Sequence, residues 1–89
     1  MLDKVKLALR IQHNLLDSEI ESTIASAKLE MQRAGISESA ITSQDNLIET
    51  CIITYCKAIY ANNDKMMEGY QKSFENQLEN LRKSSDYNV

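Results

Sequence analysis

The run 45–61, Asp-Asn-Leu-Ile-Glu-Thr-Cys-Ile-Ile-Thr-Tyr-Cys-Lys-Ala-Ile-Tyr-Ala, constrains this chain more than any other stretch. Between Leu47 and Tyr60 only Glu49, Thr50, Thr54 and Lys57 break its apolar character. At helical spacing Ile48, Ile52, Tyr55 and Ile59 form one stripe, and Leu47, Cys51 and Ala58 widen it. A helix apolar around most of its girth has to be covered on several sides. The remaining segments are therefore read as its covers.

Composition limits what those covers can be. The chain has no proline and two glycines, Gly35 and Gly69, too few for the tight turns of a sheet protein. Its 89 residues make one domain whose own core is modest, a size at which association with neighbours is a common supplement. The fold class expected is all-α: a compact bundle of three main helices, about 18–34, 44–61 and 64–83, plus a short N-terminal helix at about 3–11. A single domain, 1–89, with a flexible tail at 84–89 follows from the same pattern.

Local signals set the expected ends. Asp3 is read as the first cap, ahead of the apolar face Val5, Ala8 and Leu9. Residues 12–17 read as a connector. Ser18-Glu-Ile-Glu21 has the form of a capping box, and acids at 17, 19 and 21 suit a helix N-terminus. Ile20, Ile24, Ala27, Met31 and Ala34 then form a narrow packing seam that Gly35 stops. Residues 36–44 read as a polar loop tucked down by two isoleucines, with Thr42 or Ser43 capping the central helix and Asn62-Asn63 ending it. Asp64 is the expected cap of the last helix, whose stripe is Met67, Tyr70, Phe74, Leu78 (or Gln77) and Leu81.

Charge is unevenly placed on a chain of net −3. Residues 1–15 carry Lys4, Lys6 and Arg10 against Asp3, a balance of +2; residues 16–50 carry seven acids against Lys28 and Arg33, a balance of −5. An acidic chain is poorly suited to general nucleic-acid binding, which depends on neutralising phosphates. No run of about 18 apolar residues suggests a membrane span, and the N-terminus lacks signal-peptide features.

Chemistry-bearing patterns are sparse. His13 is the only histidine and stands in a polar connector, so a metal site or a catalytic triad lacks its parts. Cys51 and Cys56, about 140° apart around a helix, suit neither a disulfide nor a metal clip; packing in a reducing cytoplasm accounts for them. Carboxylate pairs such as Glu19/Glu21 and Glu75/Glu79 fit solvated or capping roles better than acid–base catalysis. Neither glycine has a second within reach for a phosphate loop. The Met66, Met67, Tyr70 and Phe74 stripe reads as core against the central helix, with a subunit contact as the other reading. No enzyme and no cofactor is expected.

The order of these features carries a resemblance. A basic opening, Val5-Lys-Leu-Ala-Leu-Arg-Ile11, leads to Asp17-Ser-Glu-Ile20-Glu-Ser-Thr-Ile24-Ala-Ser-Ala27 and the stop Gly35-Ile36. A polar loop, an apolar helix with Ala-Ile-Tyr near its end, and Asp64-Lys-Met-Met-Glu-Gly-Tyr70-Gln-Lys-Ser-Phe74 follow. Over nearly its whole length the chain resembles the small head–tail connector (head completion) proteins of long-tailed bacteriophages and of prophages. The resemblance implies a virion protein at the head–tail junction, made in the bacterial cytoplasm. It implies a ring of about twelve copies between the portal protein and the next connector or tail-completion protein. Packaged DNA would pass through without sequence-specific binding. The family offers no motif residues to transfer as a site.

A closed ring needs two different, complementary patches on each subunit. The candidate contacts are Lys4, Lys6 and Arg10 on one side, and Glu19, Glu21 and Glu30 of the next copy, or an acidic portal surface, on the other. Where the flanking helices leave the central one uncovered, Tyr55 or Tyr60 is the place to seek a subunit contact. The competing reading is a small helical regulatory or binding module acting on a protein or DNA partner. Net charge, and the absence of a basic recognition helix after a short turn, count against its DNA version.

Overall fold

A computed structural model describes residues 1–88; Val89, the end of the expected tail, lies outside them. Five helices follow one another: α1 (Leu2–Leu9), α2 (Asp17–Arg33), α3 (Glu38–Ser43), α4 (Asn46–Ile59) and α5 (Asp64–Lys83). No strand occurs among the described residues. The apolar α4 lies in the middle and packs against α5, α2 and α1. Its Ile48, Cys51, Ile52 and Cys56 are fully covered, together with Val5 of α1 and Ile20, Ala27 and Met31 of α2. The Cα radius of gyration is 12.7 Å, close to the roughly 12 Å expected of a compact domain of this length.

The three main helices and the short first one stand where the pattern puts them, and a fifth, α3, occupies the expected loop at 36–44. Ser37 caps α3 by accepting from the Ala40 N–H at 3.2 Å, and Ala40 and Ile41 are buried. Six residues make too short a run to show a helical period, so only the two isoleucines hinted at it. Because α3 takes up Thr42 and Ser43, neither caps α4. Asp45 does, accepting from the Ile48 N–H at 3.0 Å, and α4 starts at Asn46.

The other ends differ by one or two residues. Asp3 lies inside the first turn of α1, and the helix stops at Leu9. Arg10 turns left-handed there (φ 60°), so that the Arg10 and Ile11 N–H groups reach the carbonyls of Leu7 and Lys6. Ser18 does not cap α2, which begins at Asp17 behind Leu16 with no side-chain cap. An ion pair from α1 holds that start instead: Lys6 Nζ lies 2.7 Å from Asp17 Oδ1 and donates to Asn14 Oδ1 at 2.8 Å. Gly35 (φ 101°) ends α2 as expected. Its N–H meets the Gln32 carbonyl, the Ile36 N–H meets that of Met31, and the Met31 and Ile36 side chains are both buried. α4 ends at Ile59, before the two asparagines, and Asn63 rather than Asp64 caps α5, accepting from the Met66 N–H at 2.9 Å.

Thr54, a buried polar side chain in the core region, has its hydroxyl satisfied. Thr54 Oγ1 donates to the Thr50 carbonyl at 2.9 Å and accepts from Gln77 Nε2 of α5 at 3.1 Å. Residues 84–88, the described part of the expected tail, turn back onto the start of α4. The Ser37 N–H donates to the Tyr87 carbonyl at 2.7 Å, Ile36 and Asn88 form an antiparallel bridge, and the Tyr87 hydroxyl donates to Asp45 Oδ2 at 2.6 Å. Asp45 thus serves two partners, one oxygen for its own helix and one for the tail.

Two expectations follow. Ile52→Ala removes a fully covered side chain and should cost about 3 kcal/mol, a large share of the roughly 5–13 kcal/mol available to a chain this size, as a lowered urea midpoint. The second concerns pH. Hydrogen bonds from Tyr87 and then from the Ile48 N–H hold the Asp45 carboxyl below its usual range, and the bond to Asp45 pushes the Tyr87 phenol up. A lowered acid stabilises above its unfolded value and loses that contribution as pH falls; a raised phenol stabilises below its unfolded value and loses it as pH rises. The stability difference between wild type and Tyr87→Phe should be flat from about pH 5 to 9 and shrink on both sides, as read from urea midpoints across pH.

Candidate functional site

The surface holds the chemistry left over once the core is built. Of the six charged residues expected to make subunit contacts, three are engaged within the chain. Lys4 Nζ lies 2.7 Å from Glu49 Oε2, Lys6 binds Asp17, and Glu30 meets Arg33 one helical turn on at 3.1 Å. Arg10, Glu19 and Glu21 are exposed and have no ion-pair partner among the described residues. The pairs Lys4–Glu49 and Lys6–Asp17 span 45 and 11 positions, and nothing local marks them. They dock α1 on α4 and on the start of α2.

Two grooves flank the C-terminal half of α4. One opens between α1, α4 and α5, holds about 440 Å³, and is lined by Leu9, Arg10, Lys57, Tyr60, Met66 and Tyr70 among others. No acid lines it. Lys57 Nζ sits 5.8 Å from the centre of the Tyr70 ring, a cation over an aromatic face. The second lies between α2, α4 and α5, holds about 550 Å³, and carries Glu30 and Glu75 around Tyr55, Ile59, Phe74 and Leu78. There Tyr55 and Phe74 meet edge to face, with centroids 5.1 Å apart and planes at 63°. Burial, with the charge of Glu30 behind it, pushes the Tyr55 phenol up.

Tyr60 and Tyr55, the two tyrosines singled out on the central helix, thus line the basic and the acidic groove respectively. The Met/aromatic stripe of α5 divides between roles. Phe74 is core, Met67 and Tyr70 are half-covered, and Met66 is exposed at the basic groove. Sequence reasoning missed the pairing of Arg10 with Lys57 in one groove. The two are 47 positions apart and meet only because α1 folds back along α4.

Catalytic parts do not converge. Burial pushes the thiols of Cys51 and Cys56 up to about 12 and about 11, so both are protonated and covered at neutral pH. His13 is exposed in the connector, its Nδ1 accepting from the Leu15 N–H at 3.3 Å. No group of three or more His, Cys, Asp or Glu side chains among the described residues is arranged to hold a metal ion. Among the described residues no helix is long and apolar enough to cross a membrane.

The charged residues therefore separate into those that build the fold and those free for contact, and stability measurements should separate them the same way. Lys6→Met strips Asp17 and Asn14 of their partner and should cost about 1–2 kcal/mol in urea unfolding. Arg10→Glu, at an exposed position without an ion-pair partner among the described residues, should stay within about 0.5 kcal/mol of wild type.

Neither curated proteins nor solved structures yield a match to this chain. The sequence model of a family described as "Phage connector protein" matches residues 1–88, nearly the full length and all five helices. The chain belongs to the phage connector protein family.

Proposed function

We propose that this protein forms a ring between the portal and the tail, where it extends the DNA channel and helps retain packaged DNA. The observation that carries this reading is the connector-family match over residues 1–88. A connector is a structural phage protein that works among other head and tail proteins. Its working position is the head–tail junction of the virion, with the portal on one side and the next connector or tail-completion protein on the other. Assembly and gating are the mechanism, and no bond is made or broken.

The surface supports this reading in two ways. A subunit in a closed ring needs unlike patches, and this one has a basic groove on one flank of α4 and acids on α2. A small protomer whose central helix borders open grooves also gains stability from neighbours, because whatever binds only the folded form favours it. The charge for assembly falls first to Arg10, Glu19 and Glu21, and only secondarily to Lys4, Lys6 and Glu30, which have intrachain partners. A net charge of −3 suits a channel wall past which DNA slides without sticking.

Suppressing the gene in the phage or inducible prophage that encodes it tests the proposal. Heads should package DNA, fail to join tails and lose that DNA, as seen by electron microscopy and by nuclease sensitivity of the genome. Normal tailed, nuclease-resistant virions would overturn it, and a tail defect in which the purified protein shifts a DNA fragment as a dimer would favour a regulator instead.

A further inference from the structure

We propose that the basic groove between α1, α4 and α5 is the socket for the outer face of α2 of a second copy, with Arg10 and Lys57 receiving Glu21. The proposal rests on the ring reading above and names its contact.

The socket is defined by what lines it. Two cations, Arg10 and Lys57, stand in it with no acid among the lining residues. Lys57 lies over the Tyr70 ring, which fixes its ammonium without neutralising it. Leu9, Tyr60 and Met66 supply apolar wall, and Met66 is 41 % exposed, so the groove has no cover among the described residues. Arg10 holds a left-handed backbone (φ 60°) that a glycine would adopt more easily. The position keeps a charged side chain at the mouth of the groove at that backbone cost.

The occupant is argued from α2. Its core seam is Ile20, Ile24, Ala27 and Met31. Half a turn round, Ser18, Ser22, Ala25 and Leu29 share the outward face, with Glu21 at its edge, and all five are exposed. Serine and alanine let a neighbouring backbone approach closely. Leu29, 59 % exposed, is an apolar anchor, and Glu21 is a carboxylate without an ion-pair partner among the described residues. A row of small residues ending in an apolar one, with a carboxylate at its edge, matches a groove that is apolar and cationic. No residue of α2 lines the socket, so the two patches are distinct surfaces of one subunit. Distinct surfaces repeat head to tail, the contact type a ring requires when its rotation closes, whereas a self-complementary patch stops at a dimer.

Charge exchange tests the contact. Assembly of the purified chain, alone and with its portal, is followed by light scattering on a sizing column and by negative-stain microscopy. Arg10→Glu and Glu21→Arg should each raise the concentration needed for rings about tenfold or more, and the doubly exchanged chain should recover most of that loss. Urea unfolding of each variant checks that the subunit itself is intact. A second readout joins Leu29→Cys to Met66→Cys with a short bismaleimide. Cys51 and Cys56 are buried with raised thiols and stay silent, so a ladder of cross-linked multimers reports the contact. Rings that form at the wild-type concentration despite Arg10→Glu, or an exchange that restores nothing, would overturn the interface and leave the ring reading standing. Wild-type rings whose Arg10→Glu variant loses only portal or DNA capture would overturn it too, giving the socket to those partners. Failure of wild type to assemble under any of these conditions would overturn both.

Discussion

An α-helix that is apolar on most sides can exist in water only if other segments hide it, and that requirement shapes this molecule. α4 is the helix in question. α5, α2 and α1 are the covers, each contributing one narrow apolar seam and turning a polar face outward. Hydrophobic burial is not directional, so it fixes that these helices pack on α4 but only loosely how. Orientation comes from a few polar ties at the rims. Lys6 joins α1 to the start of α2, Lys4 joins α1 to Glu49 of α4, and Gln77 of α5 reaches Thr54 of α4. Each tie has a modest energy, but together they select one arrangement among several that would bury similar area.

Asp45 concentrates this logic at one residue. It begins α4, follows directly on α3, and receives the Tyr87 hydroxyl from the far end of the chain. The start of the central helix and the segment that follows the last one therefore share a carboxylate. The same corner carries the Ser37 N–H bond to the Tyr87 carbonyl and the Ile36–Asn88 bridge. A segment without apolar periodicity is held there by hydrogen bonds to side chain and backbone.

The bundle was legible because its signal is periodic and local. The seam Ile20, Ile24, Ala27 and Met31, the stop at Gly35, and the apolar α4 are all features of consecutive residues, and each has its expected place. The misreadings are of another kind. Several residues at each boundary have capping side chains, and which one serves depends on tertiary contacts. Asp45 was chosen over Thr42 and Ser43 because α3 had absorbed those two, and Ser18 was passed over because Lys6 anchors Asp17. The candidate site was legible only as charge. Arg10 and Glu21 could be named from the sequence, but Lys57 could not, since nothing local distinguishes it from a solvated lysine on a helix. The fold back of α1 brings it beside Arg10.

The grooves follow from the same constraint that organises the core. Three covering helices of this length cannot enclose α4 completely, and gaps between covers fall where α1 ends and α5 begins, where α2 and α5 diverge, and where the end of α5 and Tyr87 meet the start of α4 beside Leu47 and Thr50. What α4 presents in those gaps is different from what it presents to the core. Toward the core it offers Ile48, Cys51, Ile52 and Cys56; toward the gaps it offers Tyr55, Lys57, Ile59 and Tyr60. Tyrosine and lysine tolerate water on one end and packing on the other, so both suit gaps that are open to solvent. The same residues gain when a neighbour excludes that water, because a cation over an aromatic ring and a carboxylate beside it strengthen as the local dielectric falls. A connector subunit needs both properties: a fold that persists alone, and a surface whose interactions become stronger on assembly. In the proposed ring a single helix, α4, serves both: one side builds the core of the subunit and the other faces the neighbour.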